Sequence, residues 1–240
     1  MAERFYIIDG MAQIFRCYYA PFQHLSSPTG EPTRATYVFV NMLLQLIRER
    51  KPDYLAMAME SKEGEVFRVE IDPAYKANRE PPPEDLAPQI ERILQIVTAQ
   101  KIPVLSVPGF EADDLMATIC RRLADHDIEI FLVTRDKDLE QLITDRVSLY
   151  DPGKNEVIGA NELRATKGYW PDKAIEIQTL TGDSTDNVPG IKGVGPKKAA
   201  DLIARYGTAE AVIAHADELT PAMRQNVKAF AGQIEKTRQL

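Results

Sequence analysis

The sequence predicts an α/β protein: a mainly parallel central sheet flanked by helices, followed by a smaller helical domain. Three observations lead there. Short apolar runs, "RFYIID", "PDYLAMAME", "IPVLSV" and "EIFLVT", read as strands buried on both faces, each closed by a polar or acidic turn. Stretches of helical period lie between them, such as "TYVFVNMLLQLIRER" and "EDLAPQIERILQIVTAQ", which is the βαβ alternation of a parallel sheet. Past about Trp170 the strand signals stop, and short helices punctuated by Gly and Pro take over in "DLIARYG", "TAEAVIAHA" and "TPAMRQNVKAFAGQ". The expected domains are therefore 1–170 and 171–240.

Taken in order, the first strand ends at Asp9 and the second at Glu60. After it comes "KEGEVFRVEIDPAYKANREPP", a polar segment over about 62–83, long for a connection and closed by a proline cluster, which reads as an excursion over the surface. The chain stops at "IEKTRQL" in helical register without a terminator, so a longer native polypeptide is expected. At 240 residues with 44% apolar and 27% charged residues, the composition is that of an ordinary globular protein. No apolar run approaches the ~20 residues that cross a bilayer, and "MAERFYIIDG" lacks the features of a secretory signal; no membrane association is expected, and the cytoplasm with its nucleoid is the expected location. Cys17 and Cys120 read as reduced core thiols, and His24, His126 and His215 show no metal spacing. The net charge of −7 argues against a blanket electrostatic grip on nucleic acid but leaves local patches open.

Ligands of parallel sheets gather outside the carboxyl ends of the strands, so the acids there carry the functional argument. Asp9, Glu60, and Asp136 with Asp138 each follow a strand, while Glu111, Asp113 and Asp114 open a helix after "PVLSV". Asp183 and Asp186 form another pair. Singly, each has a structural explanation as a helix-start acid, a turn former or a cap. Together they would repel one another and raise their own pKa values unless cations relieve them. All-oxygen ligands favour a hard cation, Mg2+ or Mn2+, and so many carboxylates favour two ions, which suits phosphodiester hydrolysis. No P-loop pattern is present.

In "VPGIKGVGPKKA", Gly190, Gly193 and Gly195 allow a tight turn between two short helices, and Lys197 and Lys198 begin the second. This pattern is a helix-hairpin-helix signature, suited to gripping a phosphate backbone without reading bases.

These stretches resemble the bacterial 5′ nucleases, found as the N-terminal domain of DNA polymerase I and as free-standing flap endonucleases, with a PIN-like sheet. The motifs "IIDGMAQIFRCYYAPF", "DPAYKANREPPPEDL", "VPGFEADDLMATIC", "VTRDKDLEQLI" and "TGDSTDNVPGIKGVGPKKA" stand in the family order and cover nearly the whole chain. The resemblance implies a structure-selective, metal-dependent 5′-3′ exonuclease or flap endonuclease of replication and repair. Its substrates would be DNA with 5′ flaps, nicks or gaps and RNA-DNA primers, and a polymerase domain would follow in the same chain. It assigns Asp9, Glu111, Asp113 and Asp114 to a more tightly held metal and Asp136, Asp138, Asp183 and Asp186 to a second, with Glu60 a further ligand. It makes the excursion an arch or clamp. Lys76, Arg79 and Asp113 would be catalytic, and Arg16, Tyr75, Lys76, Arg79 and the hairpin glycines and lysines would contact DNA. A potassium ion at the hairpin is a further expectation.

The chain departs from the family at four places. Glu60 stands where Asp is usual, Arg34 and Val38 where glycine is usual, and Val69 where histidine is common. Slower cleavage is therefore expected. Two rivals follow: a non-catalytic DNA-binding scaffold of a polymerase, and a PIN-like ribonuclease, which the hairpin disfavours.

Overall fold

The computed structural model describes residues 2–61 and 63–240; Lys62, at the start of the expected excursion, lies outside them. The chain divides into two compact units, one of residues 1–64 and 81–159, the other of residues 65–80 and 160–240. The division thus falls about ten residues before the expected one. Residues 65–80, expected as part of the nuclease domain, belong instead to the helical unit.

The first unit is built on a six-stranded sheet, ordered β3-β2-β1-β4-β5-β6. Its strands are β1 (Glu3–Asp9), β2 (Tyr54–Ala58), β3 (Val104–Leu105), β4 (Ile128–Val133), β5 (Val147–Asp151) and β6 (Glu156–Ile158). All neighbours are parallel except β5 and β6. The chain winds outward from β1 to β3 and then returns to place β4 on the other side of β1, so the order reverses at the carboxyl ends of β1 and β4. Ligands of open α/β sheets bind at such a reversal. Helices α1 (Gly10–Tyr18) and α2 (Arg34–Arg50) follow β1. The single turn α3 (Arg68–Ile71) belongs to the other unit, and α4 (Ala87–Ala99) and α5 (Ala112–Arg122) complete this one.

β1 lies between β2 and β4 and is apolar on both faces; Ile7 and Ile8 are fully buried, and Tyr6 stacks on Phe131 of β4 at 4.6 Å. Phe39 and Leu43 of α2, Ile93 and Val97 of α4, and Met57 of β2 close the core. Gly10 is required where α1 leaves β1: a Cβ there would lie 2.2 Å from Met59 Sδ and 2.8 Å from the Ala58 carbonyl oxygen.

In the second unit, α6 (Ala160–Lys167), α7 (Ala174–Thr181), α8 (Pro196–Tyr206), α9 (Ala209–Ala214), α10 (Pro221–Phe230) and α11 (Ile234–Gln239) surround a core of Leu180, Ile191, Ile203, Val212 and Val227. The 65–80 segment is stitched to it by specific bonds rather than lying loose. Arg68 Nε donates to the Leu240 carbonyl at 2.8 Å, Lys236 pairs with Asp72 at 2.8 Å, and Asn187 donates to the Ala74 carbonyl at 2.7 Å. No helix among the described residues is long and apolar enough to cross a membrane.

Candidate active site

In the first unit, the end of β1 delivers Asp9 to the point of strand reversal. Its carboxylate is buried, caps α1 by accepting from Ala12 N at 3.2 Å, and accepts from the Thr134 hydroxyl at 2.9 Å. Burial pushes its pKa up to about 6; the two hydrogen bonds oppose that rise, and the nearby charges of Asp136 and Asp113 add to it. Sequence-distant acids thus act on one carboxylate.

Glu111, Asp113 and Asp114 sit together at the start of α5. The local reason is a capping box: Glu111, in extended conformation at the N-cap, and Asp114 at the third helical position exchange side-chain and backbone hydrogen bonds, with Asp114 accepting from Glu111 N at 2.9 Å. Asp113 accepts from Asp114 N at 2.8 Å. Each of the three offers a carboxylate oxygen within 4.8 Å of the others, and Glu111 is buried. The donor set is all oxygen and anionic, so it fits a hard divalent cation better than a soft metal.

Asp136, just after β4, caps a 3-10 turn by accepting from Asp138 N at 2.9 Å, and its own N donates to Thr134 Oγ1 at 3.1 Å. Thr134 therefore links Asp9 to Asp136, a connection that sequence reasoning missed because a lone threonine after a strand carries no signal. Glu60 lies exposed beyond β2; like Asp9, it is not one of the three acids whose carboxylate oxygens lie within 4.8 Å of one another.

In the second unit, Asp183 and Asp186 ride a loop closed by reciprocal backbone bonds between Asp183 and Val188, at 2.9 and 2.7 Å. Asp186, expected as a metal ligand, is buried and engaged by the 65–80 segment: Arg79 binds it through Nε at 3.1 Å and through Nη2, and Lys76 Nζ lies 3.8 Å away. The cations expected to meet phosphate are here held by an acid 107 residues distant from Arg79. Tyr75, expected as a DNA contact, is buried, its hydroxyl 3.4 Å from Asp186.

The hairpin lies between α7 and α8. Gly193, at φ +80°, and Gly195 would both project a Cβ into open space, so a ligand backbone can approach there. Gly190 has a different role from the one expected. A Cβ on it would lie 2.0 Å from the Thr181 carbonyl oxygen, so its small size serves packing. Lys198 donates to the Gly193 carbonyl at 2.9 Å and pins the turn, while Lys197 is exposed. Two departures also find physical roles. Arg34 places its guanidinium 4.9 Å over the Tyr18 ring, and Val38 packs against the core.

A mainly parallel sheet and a cluster of carboxylates at a helix start that could hold a divalent cation mark an α/β protein with a candidate metal site. Comparison with known proteins narrows this. Residues 4–168 match the family "5'-3' exonuclease, N-terminal resolvase-like domain", and residues 169–240 match "5'-3' exonuclease, C-terminal SAM fold". The chain is 35% identical over 208 residues to the 5'-3' exonuclease of Aquifex aeolicus, covering 87% of this chain and 71% of that protein. It is 34% identical over 237 residues to the thermostable DNA polymerase I of Thermus thermophilus, covering 99% of this chain but 28% of that one. The chain spans only 22% to 28% of such polymerase relatives. T5 5′-exonuclease with zinc bound shares the fold, with a TM-score of 0.79 at 21% identity over 98% of this chain and 88% of that one. The chain belongs to the 5′-3′ exonuclease family.

Proposed function

We propose that the chain is a structure-specific 5′ nuclease that hydrolyses phosphodiester bonds at the 5′ ends or flaps of DNA, and of RNA primers paired to DNA. The observation that carries this reading is the mutual approach of Glu111, Asp113 and Asp114, with Asp113 near enough to the buried Asp9 to add to the rise of its pKa. Asp136 and Asp138 of the first unit and Asp183 and Asp186 of the second are further candidate ligands. Mg2+ or Mn2+, as a pair, would activate the attacking water and stabilise charge on the attacking and leaving oxygens. The chain's own residues set the stage. Thr134 orients Asp9 through its hydroxyl, and the capping box fixes Glu111 against Asp114. Arg79 and Lys76, paired with Asp186 here, would exchange that acid for the phosphate when the strand binds, and the Gly193 to Gly195 turn offers backbone to a strand further along. DNA with flaps, nicks or gaps is the proposed partner, and a polymerase domain in the same chain is proposed from the short span of the polymerase relatives covered.

The test is cleavage of an end-labelled 5′-flap duplex with Mg2+ or Mn2+. We expect products with a 5′ phosphate, and a loss of at least about two orders of magnitude in rate for Asp113→Ala or Asp114→Ala, the scale of Lewis-acid stabilisation. Absence of cleavage, or cleavage indifferent to both changes, defeats the reading. One observation favours a second reading, the non-catalytic scaffold: the acid that follows β2 is the longer Glu60, and it is exposed. Tight flap binding without turnover would select it, and preferential cutting of single-stranded RNA would select the ribonuclease.

A further inference from the structure

Asp151, the last residue of β5, is 1% exposed and lies among side chains that the acidic centre does not use. Its Oδ1 is 2.6 Å from Arg16 Nη1 and accepts from Gly153 N at 2.9 Å, while its Oδ2 is 3.3 Å from Arg135 Nε. β4 and β5 pair Leu132 with Leu149, so Thr134 and Asp151 each stand two residues beyond that pair. The group therefore opens at the carboxyl edge that carries Asp9, and Arg135 lies directly between Thr134 and Asp136.

A purely structural ion pair needs one cation for one carboxylate. Here one buried carboxylate holds two guanidiniums, leaving the group at net +1, and the side chains of Arg16 and Arg135 remain 34% and 56% exposed. Each guanidinium has five N–H donors in a planar fork, and Asp151 engages only a part of them. Gly153 completes the cradle: a Cβ there would lie 2.2 Å from Arg16 Nη2 and 3.0 Å from its Cζ, so the guanidinium rests where only a glycine leaves room.

We propose that Asp151 is a positioning residue that fixes Arg16 and Arg135 as a two-guanidinium clamp for a backbone phosphate of the substrate strand, beside the acidic centre. The inference rests on the nuclease reading for its substrate, but it concerns binding and is read separately from cleavage. Removing a negative charge from a DNA-binding face should strengthen binding if only net charge matters. A positioning role requires the opposite.

The experiment is fluorescence anisotropy of a labelled 5′-flap duplex in EDTA across a salt series, alongside cleavage in Mg2+. Asp151→Asn should bind about tenfold more weakly although it removes a negative charge, by analogy with the loss when a group that orients a metal-ligating side chain is removed. Its slope of log affinity against log salt should fall by about 0.9 for each phosphate that the arginines no longer neutralise. Gly153→Ala, which changes no charge, should weaken binding in the same way by displacing the Arg16 guanidinium. Asp151→Asn in an Arg16→Gln·Arg135→Gln background should have no further effect. Wild-type or tighter binding by Asp151→Asn, or wild-type binding by Gly153→Ala, overturns the proposal. If Asp151→Asn does not fold, Gly153→Ala and the exposed Arg135→Gln decide it. Failure of the wild type to cut while these binding changes hold defeats the nuclease reading and leaves the clamp standing.

Discussion

Asp9 shows at the scale of one residue why a cluster of buried acids is unstable on its own. Its carboxyl titrates near 6 in the folded chain against 3.8 for the ordinary group, chiefly because it is buried. A folded pKa raised in this way contributes stability below about pH 4, and that contribution is lost as pH rises through about 6. At neutral pH the metal-free protein therefore carries a strained anion, at an order of about 3 kcal/mol for a shift of some two pH units. Asp9→Asn keeps the shape and removes the charge. We expect the metal-free variant to melt higher than wild type at pH 7.5, with the difference vanishing toward pH 4, and to lose cleavage. A divalent cation should raise the wild-type Tm more at pH 7.5 than at pH 5 and should raise the variant's less, the acids at α5 remaining. Thermal melts over pH 4 to 8, with and without Mg2+, check this; an Asp9→Asn variant less stable than wild type throughout would contradict it.

At the scale of elements, α7, α9 and α11 are joined by one side chain. Arg238 of α11 reaches Glu176 of α7 at 3.2 Å and Glu210 of α9 at 2.9 Å, and Glu176 also accepts from Ala209 N at 2.7 Å. The Arg238 hydrogen bond, ahead of its charge, pulls Glu210 down to about 2. A depressed carboxylate contributes stability above its unfolded value near 4.5 that is lost as pH falls toward 2. Glu210 is more than half exposed, so solvent screening keeps the contribution small. Arg238→Met should cost roughly 1 kcal/mol at pH 7 and flatten the acid limb of the Tm profile between pH 4.5 and 2; an unchanged limb would refute the coupling.

The elements also show what was legible in the sequence. β1, β2 and β4 were readable because each is continuously apolar, and α5 was readable because Glu111, Asp113 and Asp114 stand at one helix start. β3 shrinks to Val104–Leu105 at the sheet edge, while β5 and β6 gave no long apolar run, and β6 is short and antiparallel. Asp151 before Pro152 and Gly153 looks like a turn former, and only the fold shows it buried between two arginines. The hold of Arg79 on Asp186 was equally hidden, since contacts over such a separation leave no local pattern. Glu60 was the opposite case, an acid at a strand exit whose extra reach the structure leaves in solvent.

For the whole molecule, the formal charge of −7 is at odds with a polyanionic substrate unless charge is considered locally. At 0.15 M salt the screening length is about 8 Å, so distant acids matter little and those at the binding edge matter most. On the proposed function Asp113 and Asp114 face the substrate, and without divalent cations they should repel a nucleic acid strand. Asp113→Asn·Asp114→Asn should therefore bind a 5′-flap duplex several-fold more tightly than wild type in EDTA, an advantage that shrinks at 0.5 M salt. With Mg2+ the order should narrow or reverse, because the wild type then turns its acids into a cationic surface and the variant does not. The variant should not cleave. Equal affinities in EDTA at low salt would mean that these carboxylates do not face the nucleic acid, and the acidic centre would lose its claim to the scissile phosphate.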